Sequence, residues 1–143
     1  MSVLLDTHVW VWWLTPDSPL SSAERSALDA KAGRGELFLA AVSLWEVQML
    51  AAKRRLQLPL SFSDWLAQAA DDRMISVIPL DIDVILAADA LPKSFHGDPA
   101  DRLIVATARA RKLPLATLDA ALIKAARAAK LPLITDLTVF PEG

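Results

Sequence analysis

The stretch "VLLDTHVW", residues 3–10, runs three aliphatic residues into Asp6 and then into polar Thr7 and His8. A short apolar run that stops on a carboxylate reads as a buried strand, Ser2 to Leu5, ending at a turn. Asp6 then either caps the next helix or is one ligand of a metal site. In the second case further carboxylates should stand at similar junctions along the chain.

The rest of the chain repeats the pattern. Val9 to Leu14 is apolar and stops at Thr15-Pro16, because proline disfavours a helical residue before it. "LSSAERSALDAKAGRGE" predicts a helix over about 22–32, with Ser22 as cap and Gly33/Gly35 as stop. "ELFLAAV" is a second strand. "SLWEVQMLAAKRR" predicts a helix opening at Ser43 with basic residues closing its last turn. Ser61 or Ser63 opens an amphipathic helix carrying Trp65, Leu66 and Ala69, and "ISVIPL" is a third strand. Asp81 or Asp83 starts a helix through Ala90. In "HGDPADRLIVATARARK" Asp98 is the cap, Pro99 the first helical residue, and the helix reaches about Lys112. "LPLATLD" is a fourth strand, "AALIKAARAAK" a helix and "LPLIT" a fifth strand. No linker, internal repeat or low-complexity block is evident. Short apolar strands alternating with amphipathic helices predict an α/β fold with a mostly parallel sheet covered on both faces. In such sheets ligands bind beyond the carboxyl ends of the strands, which is where Asp6 falls.

The bulk properties narrow the function classes. With 143 residues, 54% hydrophobic and 22% charged, the chain fits one domain with a real core. No apolar run reaches the ~18 residues of a spanning helix, and the first residues lack the form of a signal peptide. Cysteine is absent, so there is no disulfide framework, thiol nucleophile or zinc–thiolate site, and a cytoplasmic location fits best. A net charge of −2 argues against holding nucleic acid by bulk positive charge. Lys53-Arg54-Arg55, Arg102, Arg109, Arg111 and Lys112 could still supply a local basic rim, or simply solvated helix faces.

Acids recur at the strand-to-helix junctions: Asp6, Glu46 three residues after Ser43, Asp98 and Asp101 after "HG", and Asp119 after "ATL". Hard oxygen donors in a group suit Mg²⁺ or Mn²⁺. Such ions activate water and stabilise in-line displacement at a phosphodiester. Each acid also has a plain structural role. Ser43-x-x-Glu46 has the form of a capping box, Asp98 with Asp101 nearly so, and Asp119 can cap the helix after it. Spacing alone leaves the two readings level.

"LLDTHVWVWW", "AAVSLWEVQML" and "HGDPADRLIVATARARKLPLATLD" together resemble the PIN domain, and specifically the VapC-type toxins of bacterial toxin–antitoxin pairs. The resemblance covers essentially the whole chain, 1–143, as a single PIN domain. It implies a three-layer fold whose five-stranded parallel sheet has the order 3-2-1-4-5. It also implies a Mg²⁺- or Mn²⁺-dependent endoribonuclease in which Asp6, Glu46, Asp101 and Asp119 hold the metal and orient the attacking water. Asp98 is a further acid of the "DPADR" pattern, and Thr117 of the T-x-D motif could orient water or Asp119. His8 and His96 could contact substrate or brace the fold. Arg102 could bind phosphate or pair with an acid. The implied partners are RNA, a VapB-type antitoxin that wraps the toxin, and a second copy of the chain, with no membrane. Trp10, Trp12, Trp13, Trp45 and Trp65 could stack on bases, pack the core or face a partner. Two other functions were open: an aspartyl-phosphate phosphatase, in which His8 stands where a second acid is expected, and a non-catalytic protein-binding module whose acids are only helix caps.

Overall fold

The computed structural model describes residues 1–95 and 97–140; His96 lies outside the described residues. The chain order is β1 (Val3–Leu5), α1 (Thr7–Trp13), α2 (Ser22–Gly33), β2 (Leu37–Ala40), α3 (Ala41–Ala52) and α4 (Phe62–Ala69). It continues with β3 (Ser76–Ile78), α5 (Ile82–Asp89), α6 (Pro99–Arg111), β4 (Leu115–Ala116), α7 (Ala120–Ala128) and β5 (Leu133–Ile134). The strands form one sheet in the order β3-β2-β1-β4-β5, and every neighbouring pair is parallel.

The sheet explains why the opening stretch is so apolar. β1 is the central strand, so both of its faces are covered. Val3 and Leu5 belong to a core on one face with Val9, Trp10, Leu28 and Leu39. Leu4 points the other way, into a core with Ile104, Val105, Leu115 and Leu122. The three-residue run is therefore a period-two strand whose two faces are both buried. Trp10 and Trp65 pack with ring centroids 5.3 Å apart, and the Trp10 indole donates to the Ala69 carbonyl at 2.9 Å. The Trp13 indole donates to Asp29. These three rings are core residues and do not face bases or a partner; Trp45 alone of the five is exposed, at 50%. No helix among the described residues is long and apolar enough to cross a membrane.

Several local expectations change. The cap of α2 is Ser21 rather than Ser22, because Ser21 and Glu24 complete a reciprocal capping box. Ser61 and Asp81 are the caps of α4 and α5. Ser43 is not a cap. β2 passes straight into α3, whose cap position, Ala40, makes no side-chain bond, and Ser43 lies buried inside the first turn. The Ser43–Glu46 capping box is therefore absent. The basic residues expected in the last turn of α3 come after it, with Lys53 as C-cap. A short repeat is also present: Lys-Leu-Pro-Leu-x-Thr occurs at 112–117 and again at 130–135. Each copy leaves a helix through a left-handed lysine, Lys112 at φ 55° and Lys130 at φ 59°, and enters a strand.

Candidate active site at the carboxyl edge of the sheet

Parallel register brings the first pair of site residues together. Leu5 pairs with Ala116, so the next residues on each strand, Asp6 and Thr117, are neighbours, and the Asp6 amide donates to the Ala116 carbonyl at 3.1 Å. The Thr117 hydroxyl donates to Asp6 Oδ2 and accepts the Asp119 amide at 3.1 Å. One buried hydroxyl thus ties two of the acids to a common frame. Asp6 Oδ1 accepts the Val9 amide at 2.8 Å and caps α1. Asp119 caps α7 through Leu122 N–H at 2.8 Å, and Asp98 caps α6 through Asp101 N–H at 2.9 Å.

The capping reading is therefore right for three acids, and it does not compete with a site. Each cap contact uses a single carboxylate oxygen, and capping fixes where the other oxygen stands. Glu46 has no such role. It sits in the second turn of α3, beyond any capping position, and lines the same space as the other acids.

Asp6, Glu46, Asp98, Asp101 and Asp119, drawn from four separate segments, line one cavity of about 130 Å³ together with Thr7, His8, Ile104 and Leu122. Asp6 is 3% exposed, and burial pushes its carboxyl above the ordinary 3.8, with the Asp119 charge adding to the rise. The Thr117 hydroxyl, the Val9 amide and the His8 side chain oppose it. A buried carboxylate beside other acids is held by these donors against its own electrostatics, which is the setting that a cation relieves. Among the described residues no three acid or imidazole groups are already converged as an ion requires. The donor set itself, all hard oxygen with no thiol, fits Mg²⁺ or Mn²⁺.

The remaining sequence candidates separate. His8 is exposed at the cavity wall, its ring 5.7 Å from that of Trp12. Arg102 is absent from the cavity lining. Its guanidinium lies 5.8 Å from the Phe95 ring centroid and donates to the Ala88 carbonyl at 3.4 Å, which braces α5 against α6. Sequence reasoning missed Thr7, whose buried hydroxyl donates to Ser43 Oγ at 2.8 Å. That bond joins the helix behind Asp6 to the helix that carries Glu46. The serine misread as a cap was the visible half of it.

The PIN domain family model matches residues 3–135. The chain belongs to the PIN-domain family. Ribonuclease VapC22 of Mycobacterium tuberculosis is 42% identical over 119 residues, covering 82% of this chain and 87% of that protein. Among solved structures, VapBC2 of Rickettsia felis bound to a promoter DNA fragment superposes with a TM-score of 0.69 at 18% identity. It covers 94% of this chain and 98% of its own. FitAcB of Neisseria gonorrhoeae has a TM-score of 0.62 at 22% identity, covering 92% and 95%. At such identities the two structures support the fold alone.

Proposed function

We propose that this PIN domain is a Mg²⁺- or Mn²⁺-dependent endoribonuclease, the toxin of a toxin–antitoxin pair. The observation that carries the proposal is the gathering of five acids from four segments around one cavity at the carboxyl edge of the sheet. Likeness to a VapC ribonuclease supports the substrate class. Asp6, Glu46, Asp101 and Asp119 would hold the metal, with Asp98 beside them at the rim. A divalent cation bound there supplies a water of lowered pKa and positive charge for the phosphoryl group in the transition state.

The chain's own residues do the rest. Thr117 fixes the orientation of Asp6 and the backbone of Asp119, and the Thr7–Ser43 bond sets the distance between α1 and α3. Ile104 and Leu122 supply the apolar part of the cavity lining. Water oxygen bonds to phosphorus as the bond from phosphorus to the 3′ oxygen breaks, leaving a 5′-phosphate and a 3′-hydroxyl. An aspartyl-phosphate mechanism fits poorly, because His8 stands two residues on, where that chemistry commonly uses a second acid.

A VapB-type antitoxin is proposed as partner by analogy with a neighbour of the same fold, a toxin–antitoxin complex from Klebsiella pneumoniae. Self-association is supported by α5, whose outer side exposes Ile82 (77%) and Leu86 (61%). Nuclease activity is tested with purified protein and single-stranded RNA, after chelation and re-addition of Mg²⁺ or Mn²⁺. Wild type should recover cleavage and Asp101→Asn should not. Full wild-type cleavage in chelator would contradict the metal requirement.

A further inference from the structure

The chain is nearly neutral overall but strongly polarised. Residues 102–135 hold seven of its fifteen basic residues and one of its seventeen acids, Asp119. Helices α6 and α7 both begin at the acidic cavity and run away from it, so their basic ends meet at the opposite edge of the sheet. There a second cavity of about 290 Å³ carries Arg109, Lys112 and Lys130 around a floor of Leu113, Leu131 and Pro132, with no acid in its lining among the described residues. Among the described residues none of these three cations makes an ion pair or a side-chain hydrogen bond. Arg111, by contrast, is engaged with Asp81. Lys124 and Arg127, three residues apart on the exposed side of α7, extend the positive surface back toward the acidic site.

Cations at helix C-termini offset the carbonyl end of the dipole, and that accounts for Arg109 and Arg127. It does not account for Lys112 and Lys130. Both occupy left-handed positions at φ 55° and 59°, where glycine is the least strained choice. The same lysine stands in both copies of the repeated turn, and both lysines line the same cavity. A strained position filled twice by the same charge points to a role for that charge.

We propose that Arg109, Lys112 and Lys130 form an exosite that grips the phosphodiester backbone of a single-stranded RNA bound across the acidic cavity. The proposal rests on the ribonuclease assignment for its ligand. The thirteen residues of α6 separate the two sites by ~20 Å at ~1.5 Å per residue. About six stacked nucleotides at ~3.4 Å each bridge that distance. The Leu113–Leu131–Pro132 floor adds an apolar surface for a ribose or base edge.

The test measures binding of a labelled single-stranded RNA of roughly twelve nucleotides in chelator, where cleavage does not interfere, over a range of salt. The triple variant Arg109→Ala, Lys112→Gly, Lys130→Gly relieves both left-handed positions, so its melting temperature should hold or rise. It should bind at least ~10-fold more weakly at low salt, and the slope of log affinity against log salt should fall by about 2, at ~0.7 per lost contact. Arg54→Gly removes one charge from another left-handed position, at φ 56° outside the cavity, and should bind like wild type. Unchanged affinity in the triple variant overturns the exosite. So does an equal loss in Arg54→Gly, which means unlocalised charge, or an absence of wild-type binding. Cleavage is scored separately with metal restored. RNA binding lost in the triple variant of a protein that cleaves nothing sinks the nuclease assignment and keeps the exosite. Cleavage with unaltered binding does the reverse.

Discussion

Thr117→Val removes one oxygen from a fully buried position and keeps the side chain's branched shape. Two hydrogen bonds disappear, the one donated to Asp6 Oδ2 and the one accepted from the Asp119 amide. A bond to a charged group contributes ~1.5–3 kcal/mol, because the buried carboxylate then lacks a donor. The Asp119 amide lies at a more open position, so its loss adds a smaller amount. Together they predict destabilisation of ~2–3 kcal/mol, a fall of roughly 6–10 °C in melting temperature for a chain of this size. Without the Thr117 hydroxyl, Asp6 loses the largest of the contacts that hold its pKa down, so its charged form becomes harder to keep. Cleavage should fall with stability even below the melting range, since Asp6 and Asp119 no longer share a frame. Thr117→Ser restores the hydroxyl and should recover most of the activity while staying somewhat less stable for the lost methyl. Thermal melts in chelator and RNA cleavage with Mn²⁺ give the two readouts. A valine variant with wild-type melting and wild-type cleavage would refute the view that this hydroxyl organises the site.

Glu46→Gln should lower cleavage by at least ~100-fold, as expected for a lost metal ligand, while its melting temperature in chelator holds or rises. Retained cleavage would remove Glu46 from the site, because no capping role remains to explain it. Asp6→Asn in chelator tests the buried charge through pH. The folded-state pKa of Asp6 is raised, so wild-type stability falls as pH climbs from 3.8 through the folded value. The variant should therefore melt higher than wild type at neutral pH, with the gain vanishing as pH drops toward 3.8; a gain independent of pH would contradict the assignment. Leu86→Asp on the exposed side of α5 should convert a dimer to a monomer in light scattering, and an unchanged mass would place any self-association elsewhere.

Features governed by local chemistry were legible in the sequence. Asp98-Pro99 announces the start of α6, since the cap and the ring-fixed first residue act within one turn. The uninterrupted apolar run of β1 announces a strand covered on both faces, and the alternation of strands and helices gives a parallel sheet. The acids could be found because they stand at strand ends, where the topology must bring them to one edge. What failed depended on distant contacts. Ser43 looks like a cap, yet the start of α3 is set by Ala40 pairing with Ile78, which carries the chain into the helix without a loop. Arg102 sits one residue from a site acid, but α5 packs where its side chain points. Arg109 and Lys112 read equally as a basic rim or a solvated face until the ends of α6 and α7 are seen to meet over one cavity. The stretch "LPLATLD" has the look of a full strand but pairs over Leu115–Ala116 alone, because the chain turns at Thr117 to place Asp119.

The central claim is that the carboxyl-edge acids bind a divalent cation as a set. Titration calorimetry of Mn²⁺ into the metal-free protein measures it directly, with wild type compared with Asp6→Asn, Glu46→Gln, Asp101→Asn and Asp119→Asn. Wild type should bind Mn²⁺, and each variant should bind at least ~10-fold more weakly while remaining folded. Wild-type affinity in all four folded variants, or no binding by wild type, would contradict a metal site built from these residues.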